Sequence, residues 1–130
     1  MECCIQICIA LADIEESKFN RIIEQIIKKS LFTERQIEII LNHKNLLESE
    51  FRISKGAYYR QLGQSRQKLI SFYYSIVLLR GLGILLPDDI DVMSRLAQQV
   101  SVIKDSDVFP EREDEVMMVI DRLIRQACSV

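Results

Sequence analysis

The sequence predicts an all-α protein, with five to six helices in a single domain over residues 1–130. Its four glycines and two prolines leave little material for the many turns of a β-sandwich or β-barrel. Apolar residues instead recur at spacings of three and four, the period of an amphipathic helix. Hydrophobic residues make up 48% and charged residues 28% of the chain, a balance typical of a globular domain rather than a disordered one.

Two helices are predicted in the first third of the chain. Residues 17–29 carry an isoleucine-rich stripe, and Lys28 and Lys29 suit the negative end of a helix dipole. Thr33 is expected to cap the next helix, because Gln36 stands three residues later and completes a capping box. Residues 2–11 fit a strand alternation and a helix face equally well, so both conformations remain open there.

The middle of the chain predicts two helices joined by a tight turn. Ser54 is expected to cap a short helix that ends at residue 62, where Gly63 supplies the turn. Ser65 is then expected to cap a longer helix that runs to about residue 80. Apolar residues on both helices would meet at their crossing, so residues 54–80 predict a central helix-turn-helix.

Two further helices are predicted in the last third of the chain. Pro87 and the two aspartates after it form a strong helix start, because proline suits the first turn and acids favour the positive helix end. The last helix is expected over residues 110–128, and the acids in its first turn are explained by the same dipole effect.

The net charge of −2 conceals an uneven distribution. Residues 1–50 carry a charge of −3 and residues 88–130 a charge of −5, whereas residues 51–87 contain six bases and no acid. All four tyrosines also lie in this basic block. Such an asymmetry indicates a polyanionic partner, and it bears on binding rather than on fold.

Three runs in and around the basic block resemble bacterial and archaeal regulators. Residues 62–69 read Leu-Gly-Gln-Ser-Arg-Gln-Lys-Leu, which resembles the "leucine, glycine, any, serine" turn of those proteins. Residues 32–41 resemble the opening helix of LuxR-type and sigma-factor region-four domains. Residues 79–85 resemble the helix exit of MarR-like winged-helix proteins. The resemblance covers residues 31–86 and implies a helix-turn-helix transcriptional regulator.

On this hypothesis the second helix, about residues 65–80, enters the major groove of double-stranded DNA. Arginine and glutamine can each hydrogen-bond a base edge in two places, so the outward face of that helix would read sequence. The expected base-reading residues are Arg66, Gln67 and Ser71. The expected phosphate-contacting residues are Lys55, Arg60, Ser65, Lys68 and Arg80, together with the hydroxyl groups of Tyr58 and Tyr59.

A homodimer is expected, because one reading head covers few base pairs. The terminal helices, about residues 17–29 and 110–128, would form the dimer interface, since their apolar stripes exceed what one small core needs. The alternative function is a helical adaptor whose basic block binds an acidic protein. Recognition helices about 34 Å apart in the dimer would favour DNA, and helices buried in the dimer contact would favour the adaptor. RNA binding is a weaker third hypothesis.

The sequence predicts no enzyme, metal site or cofactor. Cys3, Cys4, Cys8 and Cys128 form no regular framework and indicate a reducing, cytoplasmic setting. Cys3, Cys4 and Cys8 lack the paired spacing of zinc ligands and are expected to be buried and inert. His43 has no nucleophile that its sequence context places beside it, so a surface or capping role is expected. No apolar run reaches the length of a membrane span, and Glu2 stands where a secretory signal would carry positive charge.

Overall fold

The computed structural model describes residues 18–48, 50–106 and 110–130. Over these ranges the chain is all-α, with five helices and no strand, so the predicted fold class is confirmed. The helices are α1 (Arg21–Lys29), α2 (Glu34–His43), α3 (Lys55–Gly81), α4 (Pro87–Ile103) and α5 (Pro110–Ala127). The open question about residues 2–11 lies outside the described residues.

Side-chain caps set the first residues of the first three helices. Asn20 Oδ1 accepts a hydrogen bond from the Ile23 amide at 2.9 Å, so α1 begins at Arg21, later than residue 17. The capping box of α2 is confirmed: Thr33 Oγ1 accepts from the Gln36 amide at 3.2 Å, and Gln36 Oε1 accepts from the Thr33 amide at 3.1 Å. Ser54 caps α3 as predicted.

The predicted turn at Gly63 is wrong, because α3 is one helix of 27 residues that runs through it. The expected helix-turn-helix within residues 54–80 is therefore not formed, and Ser65 is an interior residue of α3 rather than a cap. The physical reason is a spacing of three and four that continues across the glycine. Its members are Tyr58, Leu62, Ser65, Leu69, Phe72, Ile76 and Leu79. A glycine inside a helix costs only about 1 kcal/mol, which such packing can offset.

The true end of α3 lies at Gly81, followed by a tight turn. Gly83 adopts a φ of 77°, a left-handed conformation that glycine accepts at little cost. The amides of Ile84 and Leu85 both donate to the carbonyl oxygen of Leu79, at 2.9 and 3.0 Å. Helix α4 then begins at Pro87, as predicted, and the Asp89 carboxylate accepts from the Leu86 amide at 2.9 Å.

One part of the core joins α1, α4 and α5. Ile22, Met117 and Ile120 are buried there, and half-buried apolar residues of the three helices surround them. Arg21 Nε lies 3.7 Å from Glu113 Oε2, and Lys29 Nζ lies 3.8 Å from Asp121 Oδ1. Since both pairs advance in the same direction along the chain, α1 and α5 run parallel. The apolar stripes of the two terminal helices therefore meet within one chain. Dimerisation through these helices stays a prediction.

The other part of the core joins α2 to the first half of α3. Tyr58 Oη donates to Asn42 Oδ1 at 2.8 Å, and Lys68 Nζ donates to Gln36 Oε1 at the same distance, so the two helices run antiparallel. Ile39 and Leu62 are buried in this part of the structure. From residue 69 onward α3 continues past the first turn of α2 for about 18 Å. No helix among the described residues is long and apolar enough to cross a membrane.

Candidate nucleic-acid interface

The first half of α3 presents two rows of exposed polar side chains. A helix repeats every 3.6 residues, so side chains three, four and seven positions apart share a face. One row consists of Arg60, Gln64, Gln67 and Ser71, and the other of Lys55, Tyr59 and Arg66. All seven side chains are exposed. Six of the seven belong to the predicted site, and the seventh, Gln64, was left unassigned by sequence reasoning. Among the six, Tyr59 is 56% exposed.

Two glycines lie between these rows on the same side of α3. Gly56 and Gly63 are seven residues apart, and no atom lies within 4 Å of a Cβ added at either one. A glycine exposes the helix backbone and allows another molecule to approach it closely. The outward side of α3 is therefore a shallow channel, with the glycines along its floor and basic, amide and hydroxyl groups along both edges.

Every charged side chain on this face of α3 is positive. Helix α3 contains no acidic residue, and its N-terminus adds the positive end of the helix dipole beside Lys55. Arg35 of α2 is a further exposed cation that the sequence analysis missed, and it lies on the side of α3 that packs against α2. Its guanidinium stacks 5.6 Å from the centre of the Phe51 ring, and that ring lies 5.4 Å from Tyr58. Arg35 is itself exposed.

The predicted base-reading residues are exposed, but they lie elsewhere in the helix than expected. Arg66, Gln67 and Ser71 occupy the middle of α3, because that helix begins at Lys55 rather than after Gly63. Arg66 lies on the opposite row from Gln67 and Ser71. The three residues therefore border the channel on both sides instead of forming the tip of a helix.

Two predicted phosphate contacts are turned into the protein. Ser65 is fully buried and its hydroxyl donates to the carbonyl oxygen of Gln61 at 2.7 Å, so the expected contact from Ser65 is wrong. Tyr58 is half-buried, and its hydroxyl donates to Asn42. Ser65 therefore belongs to the packed side of α3, and Tyr58 joins α3 to α2 by a hydrogen bond.

Two predicted phosphate-contacting cations are also used within the chain. Lys68 Nζ donates to the carbonyl oxygen of Leu31 and to Gln36 Oε1, both at 2.8 Å. Arg80 Nη1 donates to the carbonyl oxygen of Leu85 at 2.9 Å and closes the turn after α3. Both side chains are half-buried on the inward side of α3, so neither belongs to the channel.

The remaining candidate residues form no reactive group in the described part of the chain. Cys128 is free and exposed, because it follows the last turn of α5. Cys3, Cys4 and Cys8 lie outside the described residues. His43 is exposed at the C-terminal end of α2. Among residues 18–48, 50–106 and 110–130, no three or more His, Cys, Asp or Glu side chains come together as metal ligands.

Fold and site together define a class only: a small all-α protein that displays a cationic face on one long helix. Comparison with family models, curated proteins and solved structures finds no match for the chain.

Proposed function

We propose that this protein binds double-stranded DNA and acts as a transcriptional regulator, with the first half of α3 as the DNA-contacting element. The observation that carries this proposal is the exposed face of α3, which bears three basic side chains and no acid. DNA binding depends first on neutralising phosphates with lysine and arginine. The continuous helix α3 takes the place of the helix-turn-helix that the sequence predicted.

The dimensions of α3 suit the major groove. A helix with its side chains is about 10–12 Å across, and the major groove of B-DNA is about 12 Å wide. The basic and amide side chains of the channel span residues 55–67, a length of about 18 Å, which corresponds to about five base pairs. Gly56 and Gly63 remove the side chains that would hold the helix backbone away from the base edges.

The residues of the channel divide into two roles. Arg66 and Gln67 have the donor geometry to read guanine and adenine, and Ser71 can contact either kind of base. Lys55 and Arg60 lie towards the N-terminal end of α3, where cations and the helix dipole together favour phosphate. Tyr59 is placed to add a phosphate contact beside them.

The second candidate function is a helical adaptor that binds an acidic protein. It is favoured by the three exposed basic side chains of α3, because an acidic protein can neutralise them as phosphates would. It would use the same cations but would not need the open channel. DNA binding is preferred because the channel residues alternate cations with amides, the donors that read base edges.

Fluorescence anisotropy with a labelled duplex of random sequence tests the proposal. We expect micromolar binding at 50 mM salt that weakens steeply at 200 mM salt, because each phosphate contact releases a counterion. Replacing both Lys55 and Arg60 with alanine should weaken binding at least about tenfold and lower the salt dependence by about two phosphate contacts.

The matched control replaces Arg95 and Arg122 with alanine. Both are exposed, on α4 and α5, and the change in net charge is the same. Binding by this control should stay close to that of the wild type. Equal losses in the two double variants would mean attraction to net charge without an interface on α3. No binding at 50 mM salt would overturn the proposal and leave the adaptor function.

A further inference from the structure

The second half of α3 is apolar on every side and yet largely exposed. Between residues 69 and 79 the only polar residues besides the two tyrosines are Ser71 and Ser75. Tyr73, Tyr74 and Val77 are 62%, 73% and 70% exposed. A helix that is hydrophobic all round is normally buried. This half of α3 therefore has the composition of a helix that packs against a further protein surface.

The exposed apolar patch consists of five side chains on one side of α3: Ile70, Tyr73, Tyr74, Val77 and Leu78. Four of them, all except Leu78, line a shallow apolar depression. They stand at positions i, i+3, i+4 and i+7, the spacing of the seam between two packed helices. The patch therefore has the form of one half of a helix–helix interface.

The area of the patch lies at the upper limit of what monomers leave uncovered. From typical side-chain sizes, its exposed part is roughly 600 Å², and the largest apolar patch on a typical monomer is roughly 300–600 Å². The turn after α3 adds three large side chains, Leu82, Ile84 and Leu86, each more than half exposed. The whole surface then approaches the roughly 800 Å² that each partner buries in an interface of standard size.

The chemistry of the patch selects an uncharged partner. Arg80 is the only charged residue between residues 69 and 86, and it is held by the carbonyl oxygen of Leu85. The Ser75 hydroxyl donates to the carbonyl oxygen of Ser71 at 2.8 Å, so it needs no partner from outside. Charged groups of another protein would find no counterpart here and would lose their hydration.

We infer that a second copy of this chain covers the patch, so that the protein is a two-fold dimer joined through the second halves of its α3 helices. The same patch on the second copy is uncharged, has the same area and has the same helical spacing, as a two-fold contact requires. Residues 3–12 are also uncharged, so residues 1–17 are the competing occupant that cross-linking has to exclude. This inference does not depend on DNA binding, and a dimer contact through this half of α3 is the arrangement that the sequence analysis associated with the adaptor function.

Sedimentation equilibrium of the full chain tests the inference with two matched variants. Val77→Asp places a charge in the patch, and Val102→Asp places the same charge on α4, where the valine is 69% exposed. The wild type and Val102→Asp should both sediment at twice 15.1 kDa at 20 µM. Val77→Asp should raise the dissociation constant of the dimer at least 100-fold. If Val77→Asp loses its helical circular dichroism signal, Tyr74→Arg replaces it as the variant of the patch.

A monomeric wild type at 100 µM would overturn the inference, as would equal effects of the two valine variants. Photo-cross-linking identifies the occupant directly, with p-benzoylphenylalanine in place of Tyr74. The expected product has the mass of two chains and links position 74 to α3 of the other copy. A product with the mass of one chain, linked to residues 1–17, would show that this segment covers the patch and would overturn the dimer.

Discussion

Lys68 on α3 and Gln36 on α2 are joined by a hydrogen bond of 2.8 Å, and the same Gln36 oxygen accepts from the Thr33 amide that begins α2. Gln36 is buried, so its side-chain oxygen is removed from water and needs these donors. The capping box of one helix is thereby tied to the middle of the next. Lys68 also donates to the carbonyl oxygen of Leu31 and so holds the turn between α1 and α2.

Lys68→Met should therefore lower the stability of the fold. The side chain keeps its length but loses two hydrogen bonds, which costs about 1–2 kcal/mol of unfolding free energy. Urea unfolding measures the change. Arg66→Met is the control, because Arg66 is exposed on the outward side of the same helix, and its unfolding free energy should change by less than about 0.5 kcal/mol. Equal stabilities of the two variants would contradict a structural role for Lys68.

Gly63→Ala should stabilise the protein by about 0.5–1 kcal/mol, because alanine is the better residue inside a helix and nothing obstructs its methyl group. Gly83→Ala should instead destabilise it, because the φ of 77° at Gly83 strains an alanine. Thermal unfolding of both variants gives the two signs. A destabilised Gly63→Ala would point back to a turn at that position.

The starts of α2, α3 and α4 could be predicted because their signals are local. Thr33 with Gln36 and Pro87 with its two aspartates each determine a helix start within four residues, and those starts are confirmed. A turn was wrongly predicted at Gly63, because a glycine is compatible with both a turn and a helix interior. The spacing of Tyr58, Leu62, Ser65 and Leu69 across it was the signal that favoured one helix.

Less of the candidate site could be predicted, because the roles of its residues depend on burial. Composition located the basic block but could not show which cations are free. Lys68 and Arg80 are engaged by carbonyl oxygens that lie on a neighbouring element or past a turn. Arg35 was missed because its place beside Phe51 arises only when α2 packs against α3.

Asn20 connects two helix ends, and its substitution should separate two contributions to stability. Its Oδ1 caps α1, while its Nδ2 donates to the carbonyl oxygen of Ile103 at 2.8 Å, at the end of α4. Asn20→Ser keeps a capping oxygen but has no group to reach Ile103, so we expect a loss of about 1 kcal/mol. Asn20→Ala loses both and should cost about 2 kcal/mol.

Chemical denaturation at neutral pH measures both variants of Asn20. If Asn20→Ser is as stable as the wild type, the hydrogen bond to Ile103 contributes nothing. If it is as unstable as Asn20→Ala, the cap contributes nothing.

The carboxylate of Asp121 should make stability depend on pH in the acid range. Arg125 donates to it at 2.7 Å, and this hydrogen bond lowers the pKa of Asp121, with smaller help from the charges of Arg125 and Lys29. Because the folded-state pKa lies below the unfolded one, the contribution is complete above the unfolded pKa of about 3.9. It is lost as the pH falls through the lowered pKa of the folded state.

Asp121→Asn removes this contribution, so the variant should melt below the wild type at pH 6, and the difference should shrink towards pH 2. Circular dichroism melting curves at several pH values measure it. A difference independent of pH would mean that the carboxylate stabilises the fold by packing alone.

Since the polar channel and the apolar patch lie on one unbroken helix, their relative rotation is set by the number of residues between them. Each residue added or removed between Gln67 and Ile70 would turn one surface against the other by about 100° and shift it by about 1.5 Å. A change of seven residues would bring the two surfaces back to nearly the same side, about 10 Å farther apart or closer together. On helix α3 the distance between the channel and the patch and their relative rotation therefore cannot vary independently.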